Sequence, residues 1–299
     1  MGKQDARRTD LSHRTTLWPV VTAAFLVAVL LNPATSFGQG QARPQSPETT
    51  QDGNPGASRP VSPALLAADA LHAPFTELLK RFVVNGIVDY KGLSKNTAGL
   101  DTYIAALSQA KPGTGPTAFA YWINAYNAFT LRLILEHYPK IESIKDISSS
   151  DRWDAKRWSA DGKVLSLDAI EHKILRPMGD PRIHFAINCA SFSCPDLRNE
   201  AYLPSRLDAQ LTDATSVFLA NPAKGASSST KKGFFGGQDH NLYVSKIFDW
   251  FEDDFDRWSD GAVAFVKRHG PQKVSAYIES HRKDLDVEHL DYDWSLNGK

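Results

Sequence analysis

The chain has 299 residues, of which 42% are hydrophobic, and its 34 Lys and Arg side chains balance 34 Asp and Glu side chains. This length and composition are typical of a globular protein with one large core or two modest ones. Because the charge is balanced and no dense Lys/Arg stripe is present, the sequence argues against nucleic acid or an anionic membrane surface as a partner.

The first 38 residues have the pattern of a secretory signal peptide. Four basic residues precede the apolar run "LWPVVTAAFLVAVLL", and Ser36 and Gly38 follow it at the positions that a signal peptidase reads. We therefore predict cleavage after Gly38 and export to the periplasm or the extracellular space. An uncleaved anchor is the alternative, but the run is shorter than the roughly 20 residues that span a bilayer. The Arg7-Arg8 pair leaves the twin-arginine route open, and no stable membrane span is expected after cleavage.

Residues 39–63 are rich in Pro, Gly, Gln, Ser and Thr and contain almost no apolar side chains. Such a segment buries too little to offset the entropy lost on ordering, which predicts a disordered tether. Residues 64–299 are predicted to form a single globular domain.

Several helices are predicted from hydrophobic spacing. Apolar residues recur at i, i+3, i+4 and i+7 in "HAPFTELLKRFV" and "LDTYIAALS". Residues 117–139 are apolar on every face from Ala118 to Leu135, which is typical of a helix in the middle of a fold. Ser166 is predicted to cap "LDAIEHKIL", and Ser205 with Asp208 to form a capping box for "SRLDAQLTDATSVFLANP". The segments "GAVAFVKRHG" and "QKVSAYIESHRK" are also predicted helices.

Strands are predicted in fewer places. Asp161-Gly162 indicates a hairpin between two short arms, "RIHFAINC" is the most strand-like segment, and "NLYVSKIFDWF" is predicted to contain another strand. The polar stretch 223–239 is expected to be a flexible surface insertion. Helices outnumber strands and do not alternate with them, so we predict an α+β fold: a helix-rich single domain with a central buried helix packed on a small, mostly antiparallel sheet.

The stretch "IHFAINCASFSCP" holds the chain's two cysteines, Cys189 and Cys194. In a regular strand His184 and Cys189 would lie on opposite faces and could not form a dyad without a bulge, whereas a turn through "ASFS" can return Cys194 to Cys189. Three interpretations remain open. The first is a nucleophilic thiol with His184, His172 or His240 as base, the second is a structural disulfide, and the third is a zinc corner at an unusual spacing.

Other polar residues allow two interpretations each. Asn124 and Asn127 lie about 60° apart around the buried helix, where they either tie the helix to neighbouring backbone or line a polar site. The acids in "FDWFEDDFD" are typical of a helix start and lack the spacing of a calcium loop. No Gly-rich phosphate loop, Gly-x-Ser-x-Gly elbow or His-Glu-x-x-His pair occurs in the sequence. We therefore predict no cofactor and no metal site.

Four ordered blocks, "YWINAYNAFTL", "IHFAINCASFSCPDLRNEAY", "YVSKIFDWFEDDF" and "DYDWSLN", resemble the domain of unknown function 547 family, here as an exported bacterial member. The resemblance runs from about Phe75 to Asn297 and implies no particular reaction, since the family's activity is unassigned. The family pattern falls on the residues Trp122, Asn124, Tyr126, Asn127, His172, His184, Asn188, Cys189, Ser191, Cys194, Pro195, Lys246, Asp249 and Trp250. A motif that holds His, Asn, Cys and Ser together favours a site over a lone disulfide.

These observations give two hypotheses of different classes. The first is an exported thiol-dependent hydrolase or acyl transferase that acts on an unknown small molecule or peptide. Its predicted catalytic residues are Cys189, His184, His172, Asn188 and Cys194, and its predicted substrate-binding residues are Asn124, Asn127, Ser191, Lys246 and Trp250. The second is a non-enzymatic binding or scaffolding domain in which Cys189 and Cys194 form a structural disulfide.

Overall fold

Helices make up most of the part of the chain that a computed structural model describes, residues 62–233 and 236–299. The predicted signal peptide, residues 1–38, and residues 39–61 of the predicted tether lie outside the described residues. Within the described residues, no helix combines the length and the apolar character needed to cross a membrane.

The described residues contain α-helices with the following bounds. They are α1 (Pro63–Phe82), α2 (Tyr90–Ser94), α3 (Ala98–Gln109), α4 (Gly115–His137), α5 (Ser149–Arg152), α6 (Leu167–Ile170), α7 (Leu207–Ala220), α8 (Ile247–Trp250), α9 (Glu252–Ser259), α10 (Ala262–His269) and α11 (Gln272–Ser280). A π-helical turn over Glu171–Leu175 continues α6, and short 3-10 turns cover Ile144–Asp146, Arg176–Met178 and Pro181–Phe185.

Three small sheets accompany the helices. Strands β1 (Val83–Val84) and β2 (Ile87–Val88) form one antiparallel pair, and β3 (Trp158–Ala160) and β4 (Lys163–Leu165) form another. In the third sheet, β6 (Gln238–Val244) pairs antiparallel with β5 (Ala226–Lys232) and parallel with β7 (Leu285–His289). The helix-rich α+β class predicted from the sequence is confirmed.

The helix α4 forms the centre of the larger hydrophobic core. Its side chains are buried almost without interruption from Ala118 to Leu135, as the absence of a polar face predicts. The helices α1, α2, α3 and α6 pack around it, and Phe129 stacks on Trp158 of β3 with ring centres 4.9 Å apart. Elements that precede and follow α4 in the chain thus bury it together.

A second hydrophobic cluster contains the three-stranded sheet. Leu242 and Val244 of β6 pack there with aromatic side chains from 3-10 and α-helical segments, among them Phe185, Phe248 and Phe255. The central helix therefore belongs to a different cluster from the largest sheet, which packs on α7 and α11 instead. This refines the predicted arrangement of a central helix on a sheet.

The hairpin predicted around Asp161-Gly162 is present between β3 and β4. Both turn residues have positive φ, 51° and 69° respectively, as a two-residue hairpin turn of this hand requires. The predicted cap of α6 is also present, because the amide of Ala169 donates to the Ser166 hydroxyl at 3.0 Å. Local signals of this kind are reliable where no distant partner competes for the same atoms.

Three local predictions are wrong. Residues 183–189 form a 3-10 turn and an irregular segment, because Pro181 opens the turn and the Asp180 side chain accepts from the Arg182 amide at 3.0 Å. The Ser205 hydroxyl donates to Asp69 of α1 and does not cap α7, which begins at Leu207. Much of the predicted polar loop at 223–239 is β5, paired along its length with β6.

Candidate functional site

A cavity of about 300 Å³ opens beside the two cysteines. Polar and charged side chains contribute to its lining from four separate parts of the chain: Ser149, Asp154, Asp168, Glu171, His172, His184, Cys189 and Cys194. The remaining lining is mainly aromatic: Tyr126, Trp153, Trp250, Phe251, Tyr292 and Trp294. A concave pocket with apolar walls and convergent polar groups is the usual form of a ligand site.

The backbone turns sharply directly after Cys189. Ala190 has a φ of 61°, a left-handed conformation that side chains other than Gly seldom adopt. Asn188 holds the turn with its buried side-chain amide, which accepts from the Ala190 amide at 2.8 Å and donates to the Pro195 carbonyl at 2.7 Å. A strained backbone conformation of this kind persists only where several neighbouring contacts hold it in place. Cys189, directly before this turn, lines the cavity.

The C-terminal segment, residues 290–299, lies against the loop that follows Cys189. The amide of Phe192 donates to the Ser295 carbonyl at 2.7 Å, and the amide of Asn297 donates to the Ala190 carbonyl at 3.1 Å. This pairing brings Tyr292 and Trp294 to the cavity, more than 100 residues away in sequence from Cys189.

The two thiols are free and lie side by side. Their sulfur atoms are 2.7 Å apart, longer than the roughly 2.05 Å of a disulfide, so the predicted Cys189–Cys194 disulfide is not formed. A hydrogen bond from the Cys194 thiol lowers the pKa of Cys189 below its usual value, and hydrogen bonds from Tyr292 and Ser191 act in the same direction. Burial raises the pKa of Cys194, which therefore keeps its proton and acts as the donor.

His184 forms a buried pair with a carboxylate that lies 70 residues away. Its Nε2 donates to Asp254 Oδ2 at 2.8 Å, and its ring stacks on Phe251 with centres 3.9 Å apart. Its Nδ1 is buried and has no hydrogen-bond partner among the described residues. Burial lowers the pKa of His184, with the Asp254 carboxylate opposing this, so the ring is neutral near pH 7 and Nδ1 is an acceptor.

Arg176 links this pair to the second histidine of the cavity. Its guanidinium binds Asp254 through two hydrogen bonds of 2.6 and 3.0 Å and lies 2.8 Å from Nδ1 of His172. Burial opposes ionisation of Asp254, but the hydrogen bonds from His184 and Arg176 prevail and lower the pKa of its carboxyl well below the usual range. Asp254 is thus a permanent carboxylate at neutral pH.

Glu171 lies in the π-helical turn after α6, a distortion that is often found at functional sites. Its carboxylate accepts from the Tyr126 hydroxyl at 3.0 Å. Burial raises the pKa of Glu171 to about 7, while His172 and Tyr126 act in the opposite direction. The cavity therefore contains a carboxyl group that titrates near neutral pH.

The structure brings together only some of the residues predicted from the sequence. Cys189, Cys194, His172, His184 and Trp250 line the cavity. Ser191 contacts it indirectly, because its hydroxyl lies 3.5 Å from the Cys189 sulfur. Asn188 does not line the cavity, because its side chain binds backbone atoms that shape the turn.

Three predicted substrate-binding residues have other partners. Asn124 exchanges two hydrogen bonds with the backbone of Tyr202, at 2.7 and 2.9 Å. Asn127 donates to the Ala186 carbonyl at 3.0 Å and accepts from the Asn188 amide at 2.8 Å. Lys246 pairs with Asp249 at 3.2 Å and does not line the cavity. The two asparagines hold the fold around the site, and neither of them lines the cavity.

Sequence reasoning missed Asp254, Arg176, Glu171 and the aromatic residues of the C-terminal segment. Asp254 was one of several acids at the start of α9, and only its burial at 5% exposure separates it from the acids at 253 and 256. No local pattern in the sequence distinguishes Arg176, Glu171 or the C-terminal aromatic residues. For Asp254 one signal exists, because it is a single acid on the apolar side of α9.

Among the described residues, no three His, Cys, Asp or Glu side chains are arranged to hold a metal ion. The cysteines and histidines of the cavity have other partners: His184 is held by Asp254, His172 contacts Arg176, and Cys194 contacts Cys189. The geometry is that of a thiol with a neighbouring histidine–carboxylate pair.

A family model described as "Protein of unknown function, DUF547" matches residues 114–219, from the start of α4 to the end of α7. The match includes His184, Cys189 and Cys194, while Asp254, Tyr292 and Trp294 follow it. No curated protein and no solved structure matches the chain. Residues 114–219 are therefore similar to the DUF547 family, and this matched region contains the cysteine loop and one side of the cavity.

Proposed function

We propose that the protein is a thiol-dependent hydrolase or acyl transferase that acts outside the cytoplasm, with Cys189 as nucleophile and His184 as general base. The observation that carries the proposal is the His184–Asp254 pair: Nδ1 of His184 has no hydrogen-bond partner among the described residues, and His184 lines the same cavity as Cys189. A nucleophile with a base that a third group orients is the recurring arrangement of covalent acyl transfer.

Cys189 has the properties that a nucleophile needs. Hydrogen bonds from the Cys194 thiol and the Tyr292 hydroxyl lower its pKa, so a substantial thiolate fraction is present near neutral pH. Its sulfur reaches the cavity because the left-handed Ala190 turns the chain away from it. Cys194 is buried with a raised pKa and serves as a hydrogen-bond donor.

His184 has the properties that a base needs. Because Nε2 donates its proton to Asp254, the neutral ring keeps a free lone pair on Nδ1, and the residue lines the cavity. The Asp254 carboxylate stabilises the imidazolium that forms when Nδ1 takes a proton. Arg176 keeps Asp254 ionised and in place through two hydrogen bonds.

In the proposed reaction the Cys189 thiol passes its proton to Nδ1 of His184 as the sulfur attacks a carbonyl carbon. Where Cys189 is already a thiolate and His184 is neutral, water supplies the proton that the leaving group takes. The Tyr292 hydroxyl, 3.4 Å from the sulfur, is placed to donate to the oxygen that becomes negative. When the tetrahedral intermediate collapses, the leaving group takes the proton from His184, and a thioester on Cys189 remains. Water or an amine then attacks the thioester, loses its proton to His184 and releases the thiol.

A chromogenic acyl ester tests the proposal. With p-nitrophenyl acetate, we expect a burst of p-nitrophenolate, an acetylated Cys189 in the intact mass spectrum, and continued turnover. Cys189→Ala is expected to lose the burst and the adduct. His184→Gln and Asp254→Asn are expected to slow deacylation by about 10²-fold or more, because the attacking water then lacks an oriented base.

His240→Gln is the matched control for the base, because His240 lies in β6 and does not line the cavity. It is expected to turn over like the wild type. The proposal fails if Cys189→Ala hydrolyses the ester at the wild-type rate. It also fails if the wild type is acylated once and the thioester then persists as long as it does in His184→Gln.

A further inference from the structure

The cavity beside Cys189 is lined by three acidic side chains and two histidines, and by no Lys or Arg. Asp154, Asp168 and Glu171 contribute the carboxyl groups. Asp154 is exposed at the cavity mouth, and within residues 62–233 and 236–299 it forms no ion pair with Lys, Arg or His. Because no cation of the described residues neutralises the Asp154 carboxylate, the cavity mouth favours a positively charged ligand.

Lys and Arg side chains of the protein lie over three of the aromatic rings that line the cavity. Lys145 lies over the Trp294 ring at 4.3 Å, Arg152 over the Trp153 ring at 4.5 Å, and Arg176 over the Phe251 ring at 5.2 Å. The two other rings near the mouth, Trp250 and Tyr292, have no such cation among the described residues. They contact each other with ring centres 4.7 Å apart.

These two rings are next to the reactive sulfur. The Tyr292 hydroxyl is 3.4 Å from the Cys189 sulfur, and Trp250 packs on Tyr292 while 44% of its surface remains exposed. A cation over the Trp250 and Tyr292 rings would therefore lie within a few bond lengths of a carbonyl group that Cys189 attacks. Ammonium groups bind over aromatic faces within about 6 Å of the ring centre.

We infer that the acyl substrate of this site carries a positively charged ammonium group, which Trp250, Tyr292 and the carboxylates of the cavity bind. This inference rests on the function proposed above. A primary amine of a lysine side chain or of a small amino-acyl compound has this chemistry. An anionic substrate would meet three carboxyl groups and no Lys or Arg in the lining. A neutral alkyl chain would make no electrostatic interaction with the exposed carboxylate of Asp154.

Three probes of equal length but different charge test the inference: n-pentylammonium, n-pentanol and pentanoate. Their dissociation constants are measured by tryptophan fluorescence near pH 8, where Glu171 is largely ionised and the ammonium keeps its proton. We expect n-pentylammonium to bind at least about tenfold more tightly than n-pentanol, and pentanoate to bind most weakly. The inference is overturned if n-pentanol or pentanoate binds as tightly as n-pentylammonium, or if none of the three binds.

Matched variants locate the bound cation. Trp250→Leu is expected to weaken n-pentylammonium binding by about two- to thirtyfold. Trp258→Leu is its control, because Trp258 has a similar exposure, 47%, and lies outside the cavity. Asp154→Asn is expected to weaken binding by about two- to fivefold, while Glu252→Gln removes an exposed charge that does not line this cavity. Equal effects of a variant and its control would overturn the assignment.

The same titration in Cys189→Ala separates this inference from the proposed function. Binding of n-pentylammonium does not need the thiol, so the preference for the cation is expected to persist in that variant. If the ester is turned over but the ammonium preference is absent, the substrate class is wrong and the thiol chemistry stands. If the preference is present but Cys189 never forms a thioester, the cavity is a cation site without acyl transfer.

Discussion

Replacing Cys194 with alanine provides a direct measure of how the structure activates Cys189. The Cys194 thiol is the largest of the influences that lower the pKa of Cys189, and the Tyr292 and Ser191 hydroxyls remain when it is removed. A hydrogen bond to a charged group is worth about 1.5–3 kcal/mol, and one pKa unit corresponds to about 1.4 kcal/mol. Because a thiol is a weak donor, we expect the pKa of Cys189 to rise by about one unit in Cys194→Ala.

The assay is the rate of alkylation by iodoacetamide as a function of pH. Cys194→Ala and Cys194→Ser each contain a single thiol, so the rate reports Cys189 alone. The serine hydroxyl can donate to the thiolate in place of the Cys194 thiol and is the matched control. We expect the alanine profile to lie about one pH unit above the serine profile, and about tenfold slower alkylation at a pH below both midpoints.

Coincident profiles for the two variants would refute this reasoning, because the donor would then make no difference to the thiolate. A lower midpoint in Cys194→Ala would refute it more strongly, since it would mean that burial or repulsion by Cys194 dominates. Thermal melts of both variants check that the loop keeps its structure during the comparison.

Three further predictions concern the residues around Cys189. Asp254→Asn leaves the Arg176 charge without its carboxylate and is expected to lower the free energy of unfolding by about 2–4 kcal/mol in urea denaturation. Because folding lowers the pKa of Asp254, the difference from the wild type should begin to shrink only as the pH falls below about 4, and it should vanish only below the lowered pKa of the folded state. An unchanged stability at pH 7 would contradict this. Asn188→Ala removes the side chain that holds the left-handed turn, so it should lower the free energy of unfolding by about 2–4 kcal/mol and slow the acylation of Cys189. The exposed Asn199 provides a control with the same side chain. An equally large loss of stability in Asn199→Ala would contradict the role assigned to Asn188. The pKa of Glu171 is raised to about 7, so n-pentylammonium should bind to the Cys189→Ala variant more tightly at pH 8 than at pH 6. Adding Glu171→Gln to that variant should remove the difference. A pH dependence that survives the second substitution would exclude Glu171 as its source.

The elements that depend on local signals were predictable from the sequence. The helix α4 was predicted because apolar residues surround it on every face, and its burial follows from the same pattern. The β3–β4 hairpin follows from Asp161-Gly162, whose two residues accept positive φ more readily than most. Both depend on residues close together in the chain, which the sequence shows directly.

The segment around Cys189 shows where local reasoning fails. Alternating apolar residues in "RIHFAINC" predicted a strand, but Ile183 and Ile187 pack in the larger cluster while Phe185 packs in the smaller one. The side chain of Asn127 binds the Ala186 carbonyl and the Asn188 amide, which in a strand would pair with a neighbouring strand. A distant amide thus satisfies the backbone without a sheet.

By itself the sequence determined the helix-rich class, the central buried helix and the resemblance to the DUF547 family, because each depends on composition or on residues within short stretches. Only the tertiary structure decided which histidine is oriented, which acid orients it and what forms the wall of the cavity. His184 meets Asp254 across 70 residues, and Cys189 meets Tyr292 across 103. Contacts of that span depend on how the helices and the C-terminal segment pack, and no spacing within the sequence encodes them.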